Sequence, residues 1–140
     1  MEMHIVEDFT EEAKLAVRNG LIAFNRRHFP AELNDRYREV QFILKDDTGK
    51  VAGGLLGEVC RNWMEVHILY LEEETRGSGY GSELMEKAEQ IAREWNCDFI
   101  KVDTLSFQAL DFYQKLGFSV YGSIENVGGF THYYLKKDLV

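Results

Sequence analysis

The heptapeptide Arg76-Gly77-Ser78-Gly79-Tyr80-Gly81-Ser82 stands between two segments of opposite periodicity. Ahead of it, Trp63 to Leu71 is rich in branched and aromatic residues and reads as a strand. Behind it, Leu84, Met85, Ala88, Ile91, Ala92 and Trp95 recur at helical spacing, which predicts a helix from about 79 to 95. A glycine-rich turn that leaves a strand and opens a helix suits an anion. The first N–H groups of a helix lack partners and carry partial positive charge, and phosphate oxygens sit on them readily. Glycine adopts dihedrals closed to other residues and carries no side chain to block the approach. Arg76 adds a cation beside the turn.

Two other phosphate loops fail on the residues present. A Walker loop ends in Gly-Lys-Ser/Thr, and Gly81-Ser82-Glu83 has no lysine. The dinucleotide pattern G-x-G-x-x-G needs glycine where Ser82 stands. Nucleotide binding is therefore disfavoured. A helix start that binds nothing is the plain alternative.

Working outward, Gln41 to Lys45 and Val51 to Cys60 flank the turn Asp47-Thr48-Gly49-Lys50 and predict a hairpin. With Arg61-Asn62 turning into the 63–71 strand, the expectation is a three-stranded antiparallel meander. Gly53, Gly54 and Gly57 mark its middle strand for bulges or close approach. Nearer the N-terminus, Met3 to Val6 reads as a short strand, and Thr10 as the cap of a helix from about 11 to 26, broken before Pro30. Residues 31 to 38 read as another helical turn or a loop. Downstream come a strand at 97–103, a helix at 107–116 closed by Gly117, and strands at 118–121 and 131–135. Strands and helices in this order make an α+β fold: a mixed sheet covered by helices.

The 140 residues fit one domain, expected over 1–140, with 45% hydrophobic and 29% charged residues. No apolar run is long enough for a bilayer, and the opening residues lack the pattern of a signal peptide, so the expected location is cytoplasmic, with no membrane partner. Cys60 and Cys97 match no metal spacing and read as reduced thiols; the dispersed His4, His28, His67 and His132 give no metal site. A net charge of −8 disfavours nucleic acid and is compatible with a cationic acceptor.

A second stretch gives the turn its context. Ala109-Leu110-Asp111-Phe112-Tyr113-Gln114-Lys115-Leu116-Gly117-Phe118 resembles the A-x-x-F-Y-x-K-x-G-F helix and strand of the GCN5-related N-acetyltransferase (GNAT) superfamily. The turn at 76–81 resembles the same family's R/Q-x-x-G-x-G/A motif. The two stand in the family's order, and with the element order they cover about residues 3 to 138. The resemblance implies a mostly antiparallel sheet flanked by helices and splayed between its fourth and fifth strands, 63–71 and 97–103, with acetyl-CoA as cosubstrate in the gap. It also implies transfer of the acetyl group to a primary amine of a small molecule or peptide, by direct attack. A non-catalytic acyl-CoA-binding or regulatory module is the alternative, and a homodimer is an arrangement known for such folds.

By the same resemblance, the pyrophosphate would rest on Gly77, Ser78, Gly79, Tyr80, Gly81 and Ser82, with Arg76 beside it. The pantetheine arm would pair with Leu69, Tyr70 and Leu71 as an added strand, and Ser106 and Phe112 would complete the cofactor contacts. Ser106 stands where many relatives carry asparagine, and Glu72-Glu73-Glu74 where many carry proline. Tyr113 falls on the tyrosine that protonates the departing thiolate, a role a phenol suits; aromatic core packing is its plain alternative. Glu65 and His67, two apart on the 63–71 strand, are the candidates to accept the amine's proton or to position a water. Ordinary cross-strand hydrogen bonding is the alternative for both. Trp63 reads as packed strand. The acceptor pocket, by analogy, would draw on Phe24, His28, Phe29, Phe130, His132 and Tyr133.

Overall fold

The computed structural model describes residues 1–140 and divides into two compact units, Met1–Asp35 and Arg36–Val140. In the first, helix α1 (Glu11–Arg26) begins where expected. The Thr10 hydroxyl accepts the Ala13 N–H at 3.2 Å, and Glu11 and Glu12 lie in the first turn, where acidic side chains favour the helix dipole. Asp8 in turn accepts from the backbone and hydroxyl of Thr10, which holds its carboxyl below the usual range. A 3-10 turn (Ala31–Leu33) follows Pro30, and Arg26 pairs with Asp35 at 2.7 Å. The strand expected at Met3–Val6 is not formed: the residues before Glu11 carry no regular element. A strand is defined by its ladder, and these residues have no ladder partner.

The second unit is a six-stranded sheet in the order β1-β2-β3-β4-β6-β5. The strands are β1 (Tyr37–Lys45), β2 (Val51–Cys60), β3 (Trp63–Leu71), β4 (Phe99–Leu105), β5 (Ser119–Val127) and β6 (Phe130–Asp138). The meander β1-β2-β3 is antiparallel, as are β4-β6 and β6-β5; only β3 and β4 run parallel. Asp46 makes the β1–β2 turn by accepting from Thr48 and Lys50. Helix α2 (Tyr80–Glu94) crosses from β3 to β4. Helix α3 (Leu110–Lys115) is shorter than expected, because residues 105–108 form a turn in which the Gln108 side chain accepts the Leu105 N–H at 2.7 Å. Gly117, at φ +97°, ends α3 in the left-handed conformation that closes helices.

One face of the sheet carries Val40, Leu55, Val59, Met64, Val66, Ile100, Val102 and Leu135, packed with Leu84, Met85, Ala88 and Ala92 of α2. The opposite face carries the stacked rings of Trp63 and Phe99 beside a line of charged residues. Glu39, Glu58, Glu65, Lys101 and Lys136 lie in a row across β1, β2, β3, β4 and β6.

The parting of β3 and β4 follows from the register. They pair only at Trp63/Phe99, Met64/Ile100 and Glu65/Lys101, although both strands continue. At that point β3 bulges. Val66 faces Gly57 and Ile68 faces Leu56, so His67 is an extra residue. A bulge bends its strand and increases the local twist, and the bend separates β3 from β4. The burial pattern changes with it: Met64 and Val66 are buried before the bulge, whereas Leu69 and Leu71 pack against the core after it. Gly57 makes room, since a Cβ there would strike the Glu65 carbonyl. Gly57→Ala is therefore expected to destabilise the protein by about 1–3 kcal/mol, measured by urea unfolding. An unchanged midpoint would show that the bulge tolerates the methyl.

Candidate active site

The far end of β3 leads through a 3-10 turn (Glu73–Thr75) into the glycine turn. Gly77 and Gly79 have φ of +82° and +89°, which only glycine adopts freely, and a Cβ at either would meet nothing within 4 Å. The glycines serve backbone shape, and space is open above them. Gly79 caps α2 with no side-chain hydrogen bond, so the amides of the first turn, from Tyr80 to Ser82, have no side-chain cap. Those are the donors an anion requires. Gly81 has a different task. It lets α2 approach Phe112 and Leu71, whose atoms would stand 3.3 and 3.7 Å from a Cβ.

Arg76 sits beside this turn with its side chain folded back. Its Nε donates to the Leu71 carbonyl at 2.9 Å, and the guanidinium lies 6.0 Å from the Tyr70 ring centroid. The terminal nitrogens make no hydrogen bond within the protein. Between the glycine turn and the parting point, the β4-facing edge of β3 pairs with no strand. This is the segment holding Leu69, Tyr70 and Leu71, and an extended chain can add there.

Tyr113 lies on α3, 5% exposed, against Phe112 and Phe118. Burial pushes its phenol up to about 12, and the charge of Asp103 adds to the rise. Across the neutral range the hydroxyl therefore keeps its proton and can donate it. Ser106 does not cap α3, which begins after Ala109. Its hydroxyl accepts the Thr131 N–H at 3.1 Å and ties α3's approach to β6, while the buried Thr104 hydroxyl receives the Ala109 N–H at the head of α3.

Glu65 and His67 meet despite the bulge between them: His67 Nδ1 lies 3.4 Å from Glu65 Oε2. On its other side, His67 Nε2 lies 3.4 Å from Glu58 Oε1, and Lys101 Nζ stands 3.7 Å from Glu65 Oε1. Glu58 also accepts from Tyr37, whose phenol is raised by that bond. The cluster gathers where β3 and β4 part. Sequence reasoning missed Glu58, which faces Glu65 across the β2–β3 ladder; the hairpin register signals it. It also missed Asp103, on β4 just beyond the parting point.

Taken together, the site is a helix start with uncapped amides, a free strand edge, a parting in the sheet and a protonated phenol. This is the layout of an enzyme that holds a long phosphorylated cosubstrate between two strands. The chain matches the model of the acetyltransferase (GNAT) family over residues 5–118 and belongs to that family. It is 34% identical over 113 residues to an acetyltransferase of Agrobacterium fabrum, covering 81% of this chain and 80% of that protein. It is 40% identical over 95 residues to blasticidin-S acetyltransferase of Streptomyces morookaense, covering 66% of this chain and 70% of that one. A crystal structure of an acetyltransferase from Bacillus cereus superposes with a TM-score of 0.91 at 32% identity, over 99% of this chain and all of that one. The protein is an acetyl-CoA-dependent N-acetyltransferase. No helix is long and apolar enough to cross a membrane.

Gly79→Val places a β-branched side chain at φ +89° in front of the α2 amides. Acetyl-CoA affinity, read by calorimetry, is expected to fall at least about tenfold. Unaltered affinity would remove the turn from the cosubstrate site.

Proposed function

We propose that this enzyme acetylates a primary amine of a small molecule by direct attack on the acetyl thioester. The observation that carries the reading is the parting of β3 from β4 after Glu65/Lys101, with the glycine turn at the other end of the same strand. Acetyl-CoA supplies an activated acetyl group. In this reading the amides from Gly77 to Ser82 and the terminal nitrogens of Arg76 hold its phosphates. The free edge at Leu69, Tyr70 and Leu71 aligns the arm, and Phe112 and Ser106 border the site from the α3 side.

Tyr113 donates to the sulfur as charge develops there. A phenol that stays protonated to about pH 12 keeps that donor at every working pH. In this reading Glu58 and Glu65 set two carboxylates beside the parting point, which draw the ammonium form of an acceptor to it. Glu65 also stands within 3.7 Å of Lys101 and is held in place by it.

The similarity to blasticidin-S acetyltransferase makes blasticidin S the first acceptor to test, beside simple alkylamines and a peptide with a free N-terminus. Free thiol release is expected with a small-molecule amine; release with the peptide alone would overturn that acceptor class. Tyr113→Phe should lower kcat about 100-fold and leave acetyl-CoA affinity within about twofold. Unchanged turnover would take Tyr113 out of the mechanism. Glu65→Gln should raise the amine KM severalfold with little effect on kcat, checked under saturating acetyl-CoA.

A further inference from the structure

Beyond the parting point, a second polar cluster lies on the side of the sheet away from the core. Asp103 is the first residue of β4 past Lys101 to face away from the core; its neighbours Val102 and Thr104 are buried. On the adjacent β6, His132 Nε2 lies 3.2 Å from Asp103 Oδ1, and the Tyr134 hydroxyl lies 3.4 Å from His132 Nδ1. These contacts determine the tautomer. A carboxylate only accepts, so Nε2 carries the hydrogen. Nδ1 then keeps its lone pair, and Tyr134 donates to it. The His132 ring stacks on that of Tyr134 with centroids 4.5 Å apart, which holds its plane.

His67 offers the opposite arrangement. Both its nitrogens face carboxylate oxygens, so neither lone pair stands open to an incoming N–H. Of the two histidines on this side of the parting, His132 alone has a carboxylate behind it and an accepting nitrogen ahead. The charge of Asp103 also helps to raise the Tyr113 phenol, after burial.

We propose that His132 is the proton acceptor for the attacking amine, held in its receptive tautomer by Asp103 as a positioning residue. The proposal rests on the acetyl-transfer reading above. The acceptor's ammonium gives a proton to the Tyr134 hydroxyl, which passes its own proton to Nδ1. The freed lone pair forms the N–C bond to the acetyl carbonyl. The C–S bond breaks, its electron pair goes to sulfur, and sulfur takes the Tyr113 proton. The second proton that nitrogen sheds on becoming an amide restores Tyr113 through water, and His132 returns its own to solvent. The titratable groups facing the ring are Asp103 from β4, Tyr134 on the same strand and, behind it, Tyr121 of β5, whose ring centroid is 6.4 Å from that of Tyr134. With the ring already protonated no proton is accepted, so kcat falls as pH is lowered.

The test has two arms. Nitrogen NMR of histidine-labelled protein, with His132 assigned through His132→Gln, should show a protonated Nε2 and a bare Nδ1. In Asp103→Ala that tautomer preference should be lost. A wild-type ring with the hydrogen on Nδ1 would overturn the proposal. In the second arm, kcat for thiol release is measured with blasticidin S, butylamine and methoxyamine. His132→Gln should lower kcat about 100-fold for blasticidin S and butylamine and remove the acid limb of the pH profile. The loss should be much smaller with methoxyamine, whose nitrogen is already neutral. Acetyl-CoA affinity should stay within about twofold. An equal loss for all three amines, or none, would overturn the proposal. Failure of the wild-type protein to bind acetyl-CoA, or to release thiol with any of them, would instead overturn the transfer reading; the tautomer then decides the His132 arrangement alone.

Discussion

The site depends on two strands that begin as neighbours and separate. β3 and β4 share three residue pairs, and the extra residue at His67 then bends β3 away. Leaving backbone N–H and C=O groups unpaired in a sheet's centre is costly unless something else satisfies them. An enzyme whose cosubstrate carries amide groups along an extended arm can make use of such an edge. The same bulge changes which residues face the core, so Leu69 and Leu71 continue the packing that Met64 and Val66 begin. One inserted residue thus opens the gap while keeping β3 anchored at both ends.

The two faces of the sheet divide the work. The apolar face packs with α2, whose uncapped first turn is aimed by that packing and by the close approach that Gly81 allows to Phe112. The opposite face collects Glu58, Glu65, His67, Asp103 and His132 around the parting point, on three neighbouring ladders. Tyr113, on α3, has its phenol kept protonated by burial. The uncapped helix start and the cluster of titratable side chains therefore lie at opposite sides of the stretch where β3 runs free. A cosubstrate of extended form is what can connect them.

Much of this was legible in the sequence, and the reasons are local. Residues 76–82 announce a turn because glycine at positive φ has few substitutes. The alternation through β1, β2 and β3 exposes a meander, and Ala109 to Phe118 carries its own helix, stop and strand. What escaped was set by register and partners. Met3–Val6 has the composition of a strand, yet composition cannot supply a ladder. Gly57 was readable as a bulge or close approach, but not that the extra residue opposite is His67. Ser106 has the chemistry of a helix cap and spends it on Thr131, a residue 25 positions away. His132 was legible only as an aromatic near the acceptor, because Asp103 becomes its partner through the β4–β6 pairing alone.

Amide hydrogen exchange, followed with and without acetyl-CoA, tests the parted sheet most directly. Slowed exchange concentrated at Tyr80–Ser82 and along the free edge from Val66 to Leu71 is the result this account predicts. Amides bonded within the β1–β2 ladder should be unchanged. Binding that leaves those two segments exchanging as before, or that protects a different surface, would contradict it.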